Sequence, residues 1–451
     1  MMPSKKRHQK LMLSKLLLGR KKLNICYSNI AGIALSLLSV VAIATSVQAA
    51  EEKARRADDF VDSVGVNTHL YYNESVYYKR YNDLIKPKLL ALGVRHIRDG
   101  CVYNLNGYME RLRELKELGG IRATLVCDPR DIKVNAAADL VKEIGTDVVE
   151  AVQATNEYNL SGNGNWANDL RNYQKQLWQG IKGDSATSGV KVYGPSLVEA
   201  GAYATLGDMS DYQDYGAMNN YFSGRNPGNS GWGDDDYGSL GWNVRVTKKA
   251  SVSDPVLTTE TGYHQVTDTS NGHRGVPEDI AAKYTPRLVL EQFNYGIPRT
   301  FIYEFINTYY DPNSLYMNFG LLRNDGSEKP AYKALKNLFS LLSGPGASFS
   351  PGSLDYVMSG NTEDVHHTLL QKQDGTFYLI LWVEKSGYNV DSKKWIDVPS
   401  QKVTLTLNTD IAKATIYVPN DSANLKSSQT YPKQLDIDVS DRVVVVELAS
   451  N

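Results

Sequence analysis

Between Val64 and about Leu342, short apolar or β-branched runs alternate with longer stretches whose apolar positions recur at helical spacing. The runs predict strands at Val64 to Thr68, Val94 to Arg98, Arg122 to Val126, Val148 to Thr155, Val190 to Gly194, Tyr215 to Asn220, Pro255 to Glu260 and Thr300 to Tyr303. Helices are predicted at Tyr81 to Leu92, Leu105 to Leu118, Ala136 to Ile144, Leu170 to Ile181, Pro277 to Phe293 and Ala331 to Leu342. Eight βα units over this length match a closed (β/α)8 TIM barrel, which typically takes about 250 residues, better than an open sheet. After the breaker-rich stretch from Ser343 to Gly352 the periodicity changes from helical to alternating. Strands are predicted at Thr376 to Val383, Lys402 to Leu407, Ala414 to Val418 and Arg442 to Leu448, with Asp374-Gly375 as a hairpin turn. The expected organisation is therefore a barrel over 51–342, a linker over 343–353 and a small all-β sandwich over 354–451.

The first fifty residues stand apart from this pattern. Eight basic residues between Lys5 and Lys22 precede an apolar run from Ile30 to Val47 that ends in Ala49-Ala50. This reads as a signal peptide and predicts a secreted or periplasmic protein; if it stays uncleaved, the segment is a membrane anchor. Removing it moves the formal net charge from −1 to −9. An acidic mature chain argues against nucleic acid as a partner. With 42% hydrophobic and 22% charged residues, the composition is that of a globular protein. Of three cysteines, Cys26 lies in the leader; Cys101 and Cys127 are left as either a disulfide or two buried thiols.

Active residues of such barrels gather at the C-terminal ends of the strands. Two acids are predicted there: Glu157 after the fourth strand, in Ala154-Thr155-Asn156-Glu157-Tyr158, and Glu260 closing the seventh, in Leu257-Thr258-Thr259-Glu260-Thr261. Together they resemble the glycoside hydrolases of clan A, whose acid/base sits in an Asn-Glu pair after strand four and whose nucleophile ends strand seven. His96-Ile97-Arg98-Asp99 is similar to the clan's second-strand end, and Asn219-Asn220-Tyr221 stands where many members carry His-x-Tyr. Asn318-Phe319-Gly320-Leu321-Leu322 through Lys329-Pro330-Ala331-Tyr332 is similar to the closing stretch of these barrels. Two positions depart from the pattern: Asn219 replaces the sixth-strand His, and Tyr303 or Phe305 stands for the usual Trp of strand eight.

The resemblance implies a retaining β-glycosidase that needs no cofactor or metal, with Glu157 as acid/base and Glu260 as nucleophile. Retention requires the carboxyls about 5 to 5.5 Å apart, one protonated and one ionised. On this reading Arg98 keeps Glu260 ionised, Asn156 bonds the sugar 2-hydroxyl and Tyr221 orients the nucleophile. His69, His264, Trp232 and Trp166 are candidate sugar contacts, each balanced against ordinary packing. The long segment from Ser223 to Leu240 is expected to build the cleft, and the loops suggest a polysaccharide cleaved internally. The competing class is a carbohydrate-binding barrel without turnover. Two further features read blandly: His366-His367 as exposed strand residues, and Asp234-Asp235-Asp236 as a solvated turn.

Overall fold

In the computed structural model, which describes residues 48–103, 105–269 and 272–450, eight parallel strands follow one another around a barrel. They are Val64–Asn67, His96–Gly100, Arg122–Val126, Val149–Gln153, Lys191–Tyr193, Gly216–Asn219, Val256–Thr261 and Thr300–Ile302. The first pairs with the second and the eighth, and the fifth meets the sixth through the single bridge Tyr193↔Tyr215. The barrel expectation therefore holds, with most strand ends displaced by a residue or two. The second strand begins at His96 because Gly93 ends the preceding helix in a left-handed turn, and Val94 and Arg95 serve as the connection. The expected helix Tyr81 to Leu92 is split into a π-helical turn, Tyr81–Ile85, and an α-helix, Lys86–Leu92. Helices at Ala200–Leu206 and Leu240–Thr247 were not predicted, the first being only two turns long.

Among the described residues, two larger sheets, antiparallel except where Arg55–Arg56 pairs in parallel, and a small antiparallel ribbon of Tyr388–Asn389 with Lys394–Trp395 complete the chain. One orders Gln48–Lys53, Ser353–Gly360, Gln401–Leu407 and Gln434–Val439. The other orders Leu425–Thr430, Lys413–Tyr417, Val444–Ala449, Phe377–Val383, Val365–Gln371 and Arg55–Arg56. The N-terminal stretch from Gln48 to Arg56 thus adds a strand to each sheet, so the expected barrel boundary at residue 51 is corrected: these residues belong to the sandwich.

All seven residues of Phe377–Val383 are buried, and their alternation says against what. Phe377, Leu379, Leu381 and Val383 pack between the two sheets, while Tyr378, Ile380 and Trp382 pack into the core shared with the barrel helices. On this strand the face turned to the barrel is as buried as the one turned inward. His366-His367, expected to be exposed, are half-buried: His366 Nδ1 meets Glu291 of a barrel helix at 2.6 Å, and His367 Nε2 meets Glu52 of the sandwich's N-terminal strand at 3.0 Å. Because one strand serves both cores, Ile380→Val is expected to lower a single unfolding transition by about 0.5–1.5 kcal/mol rather than release the sandwich separately; differential scanning calorimetry reads the number of transitions.

Asp236, the last of the acidic triplet, pairs with Arg245. Cys101 and Cys127 are both buried free thiols, so of the two sequence alternatives the structure has the thiol pair. Residues 1–47, including Cys26 and the basic run, lie outside the described residues. No helix among the described residues is long and apolar enough to cross a membrane.

Candidate active site

The C-terminal ends of the barrel strands open into a cavity of about 1110 Å³. Its floor is built by polar residues that close each strand. The seventh strand carries an extra residue at Thr259: Met218 pairs with Thr258 but Asn219 with Glu260, and Thr300 pairs with Thr258 but Ile302 with Thr261. A bulge bends a strand and re-aims the side chain beside it, and here that side chain is Glu260. Thr259 is fixed in turn, the single proton of its hydroxyl lying between two acceptors, the Met218 carbonyl at 3.0 Å and Asn219 Oδ1 at 2.8 Å.

Glu260 is 8% exposed and receives two donors. Arg98 Nη1 donates to its Oε1 at 2.8 Å, and the Tyr221 hydroxyl to its Oε2 at 3.1 Å. Burial and the charge of Glu260 hold the Tyr221 hydroxyl far above its usual pKa, so it stays a donor. Arg98 is a hub: Nε donates to Gln153 Oε1 at 2.7 Å, Nη1 also to Asn67 Oδ1 at 2.8 Å, and Nη2 to Asn156 Oδ1 at 2.9 Å. Asp99 faces away, accepting from the Thr68 hydroxyl and the Leu70 and Gly100 amides. The cation therefore serves Glu260.

Glu157 sits just past the fourth strand with φ 51° and ψ 38°, a left-handed conformation uncommon for a residue with a side chain. Its amide donates to the Ser196 carbonyl at 2.9 Å, which continues the fourth strand's pairing beyond the regular ladder. Backbone in sparsely populated regions persists where surrounding contacts determine it, and such residues cluster at functional sites. Asn219 Nδ2 donates to Glu157 Oε1 at 2.9 Å and to Asn156 Oδ1 at 3.1 Å. Asn156 Oδ1 also accepts from Ser196 Oγ at 3.0 Å, so three donors fix the amide's orientation. Its Nδ2 has no partner among the described residues, and the residue lines the cavity. Burial, and after it the charge of Glu260, raise the pKa of Glu157 above the ordinary carboxylate range, against the Asn219 hydrogen bond and Arg98.

Since the Glu260 charge is part of that cause, Glu260→Gln is expected to lower the Glu157 pKa. Protonated Glu157 would then give way to carboxylate at a lower pH than in the wild type. Carbon-13 NMR of labelled glutamate carboxyls reads the shift, and an unchanged titration would count against electrostatic contact between the two.

His69 also faces the cavity, stacked on Tyr72 at 4.6 Å with an interplanar angle of 9°. Burial alone would lower its pKa, but Glu304, 3.4 Å away and fully buried, raises it on balance. Glu304 further accepts from the Thr308 hydroxyl at 2.8 Å and the Tyr77 hydroxyl at 3.3 Å. Of the two aromatics flanking it, Tyr303 lines the cavity and Phe305 is core. The remaining wall carries Tyr71, Tyr72, Trp242 and Tyr316.

Of the sequence candidates, Glu157, Glu260, Arg98, Asn156, Tyr221, His69 and Trp232 meet in this cavity. Two do not. His264 is buried with its ring 5.0 Å from Phe319, and its nitrogens are held by the His273 carbonyl and the Val266 amide. Trp166 opens the helix Trp166–Lys182 and packs against the apolar cluster that holds Leu170, Leu197 and Tyr203. Asn67, Gln153, Ser196 and Glu304 were missed; their only signal is polarity at a strand end where a packed strand would be apolar.

No family model and no curated protein matches this chain. Solved structures do. A family 39 glycoside hydrolase from the gut symbiont Bacteroides cellulosilyticus WH2 is 18% identical with a TM-score of 0.58, covering 86% of this chain and 82% of that one. A glucosidase from Croceicoccus marinus is 11% identical with a TM-score of 0.58, covering 90% and 98%. An endo-β1,6-glucanase is 12% identical with a TM-score of 0.53, covering 90% and 94%. At these identities the likeness is one of fold. The barrel with its sandwich is thus an architecture that glycoside hydrolases use.

Proposed function

We propose that this chain is a retaining β-glycosidase acting on an oligosaccharide or polysaccharide, with Glu157 as acid/base and Glu260 as nucleophile. The observation that carries this reading is the pairing of two carboxyls in one cavity with opposite surroundings: Glu260 receives a guanidinium and a phenol, while Glu157 is raised by burial and by its neighbour's charge. Acetal cleavage needs that division. Glu260 attacks the anomeric carbon as Glu157 gives its proton to the departing oxygen. Water then displaces Glu260, and Glu157 takes the proton from that water. Asn156 Nδ2 offers a hydrogen bond to the sugar 2-hydroxyl, and the imidazole of His69, anchored by Glu304, offers another to the bound sugar.

A cavity of about 1110 Å³ exceeds the roughly 300–1,000 Å³ typical of small-molecule sites and supports several sugar units in one chain, hence internal cleavage. The fold likeness to an endo-β1,6-glucanase and a glucosidase supports the reaction class. The deciding experiment is proton NMR of the sugar released from a panel of β-glycans, where the β anomer must appear before mutarotation. First appearance of the α anomer would overturn the double displacement. We propose further that residues 1–50 direct export, with mass spectrometry of the secreted N-terminus as the check.

A further inference from the structure

Arg225 stands on the wall of the same cavity, four residues beyond the tyrosine that bonds Glu260. Its backbone is held on both sides. The amide donates to the Phe222 carbonyl at 3.0 Å, and its carbonyl accepts from the Tyr263 hydroxyl at 2.9 Å. The loop that follows is anchored to the sandwich: Asn226 Nδ2 and the Gly228 amide both donate to Glu384 Oε1 at 2.8 Å. Glu384 is itself fixed by the fully buried Arg287 at 2.8 Å. A Cβ on Gly224 would lie 2.6 Å from Val390 and one on Gly228 2.6 Å from Glu384, so both glycines are required by this close approach.

The side chain is as constrained as the backbone. The guanidinium carbon lies 3.6 Å over the centre of the Trp232 ring. Trp232 was expected to stack on sugar; that face is instead a platform that holds the guanidinium flat. The other two arginines lining the cavity are paired, Arg98 with Glu260 at 2.8 Å and Arg274 with Asp391 at 3.5 Å. Arg225 has no carboxylate partner among the described residues, and its one acceptor, the Gly231 carbonyl, is at the limit of hydrogen bonding at 3.5 Å. Burial lowers its pKa with no opposing anion. An oriented fork of donors, partly stripped of water and left unpaired in a substrate cavity, is complementary to a carboxylate or a sulfate.

We propose that Arg225 is a specificity-determining residue that receives an anionic substituent, a carboxylate or a sulfate ester, on a sugar of the bound glycan. The proposal rests on the glycosidase reading for the identity of the ligand as a glycan. Its test keeps the two apart by measuring binding and turnover separately. The full chain carrying Glu260→Gln, alone and with Arg225→Gln or Arg225→Lys, is titrated calorimetrically. The probes are oligosaccharides from glucuronoxylan and their carboxyl-reduced forms, and carrageenan oligosaccharides and their desulfated forms.

The expected result is a preference for one acidic form over its neutral counterpart of on the order of tenfold to a hundredfold. Arg225→Gln should bring that ratio close to one, and Arg225→Lys should restore it in part, because an ammonium keeps charge without the planar fork. The preference should fall as salt rises. Whichever acidic form is preferred identifies carboxylate or sulfate as the substituent. Equal binding of acidic and neutral forms, no binding of any acidic form, or a preference unchanged by Arg225→Gln would each overturn the proposal. Thermal unfolding of each variant excludes loss of fold as the cause. Turnover of neutral β-glycans by the wild-type chain is scored independently, so that enzyme activity without acidic preference overturns this inference alone.

Discussion

Glu260→Ala is expected to lower turnover on an aryl β-glycoside by on the order of 10⁴- to 10⁶-fold, the loss that accompanies removal of a covalent nucleophile. At about 1.36 kcal/mol per factor of ten, that is roughly 5–8 kcal/mol of transition-state stabilisation. The geometry explains why so much rests on one residue. Arg98 and Tyr221 both donate to Glu260, and the other contacts of Arg98 are neutral amide oxygens of Asn67, Gln153 and Asn156. Those amides orient the guanidinium without neutralising it, so its charge acts on the carboxylate. Alanine also leaves space where the carboxylate stood. Azide entering there would attack the anomeric carbon from the nucleophile's face while Glu157 still protonates the leaving group. The product should be the α-glycosyl azide, with configuration inverted, and proton NMR of the product reads it. Release by Glu260→Ala equal to that of the wild type would overturn the assignment.

Much of this site was legible in the sequence because barrel strands place their ends predictably. Glu157 and Glu260 stand at or just past short strands buried at every position, and their place in the chain puts both at the same rim. What escaped depends on neighbours distant in sequence. Gln153 and Asn67 read as isolated polar residues until Arg98, from another strand, is seen between them. Arg225 reads as one basic residue in a glycine-rich loop, since nothing local reveals that Glu384, far along the chain, anchors that loop. His264 and Trp166 failed for the converse reason. Each is near a catalytic candidate in sequence, yet a turn directs His264 into loop backbone and a helix start directs Trp166 against a neighbouring apolar cluster. The sandwich was recognised but misplaced at its N-terminal edge. A strand such as Phe377–Val383, apolar at every position, says that both faces are covered and not by what.

Glu157→Ala is expected to behave differently from Glu260→Ala in a way that separates the two roles. Loss of a general acid costs about 10²- to 10⁴-fold when the departing oxygen needs a proton. The cost should be smallest for formation of the glycosyl-enzyme from a dinitrophenyl glycoside, whose leaving group departs as an anion, and largest for an unactivated oligosaccharide. Hydrolysis of that intermediate still needs a base, so the dinitrophenyl substrate should give a burst followed by slow turnover. Azide supplies an anionic nucleophile that requires no base. It should accelerate turnover of Glu157→Ala and yield the β-glycosyl azide, retained in configuration because Glu260 has already inverted the centre once. The pH profile should change with it. In the wild type, activity falls as pH rises through the raised pKa of Glu157, because the acid is then deprotonated. That limb should disappear in Glu157→Ala with the dinitrophenyl substrate. An alkaline limb that persists there, or an α-azide from this variant, would assign the proton to another group, and Asn219 would then hold Glu157 for some purpose other than acid catalysis.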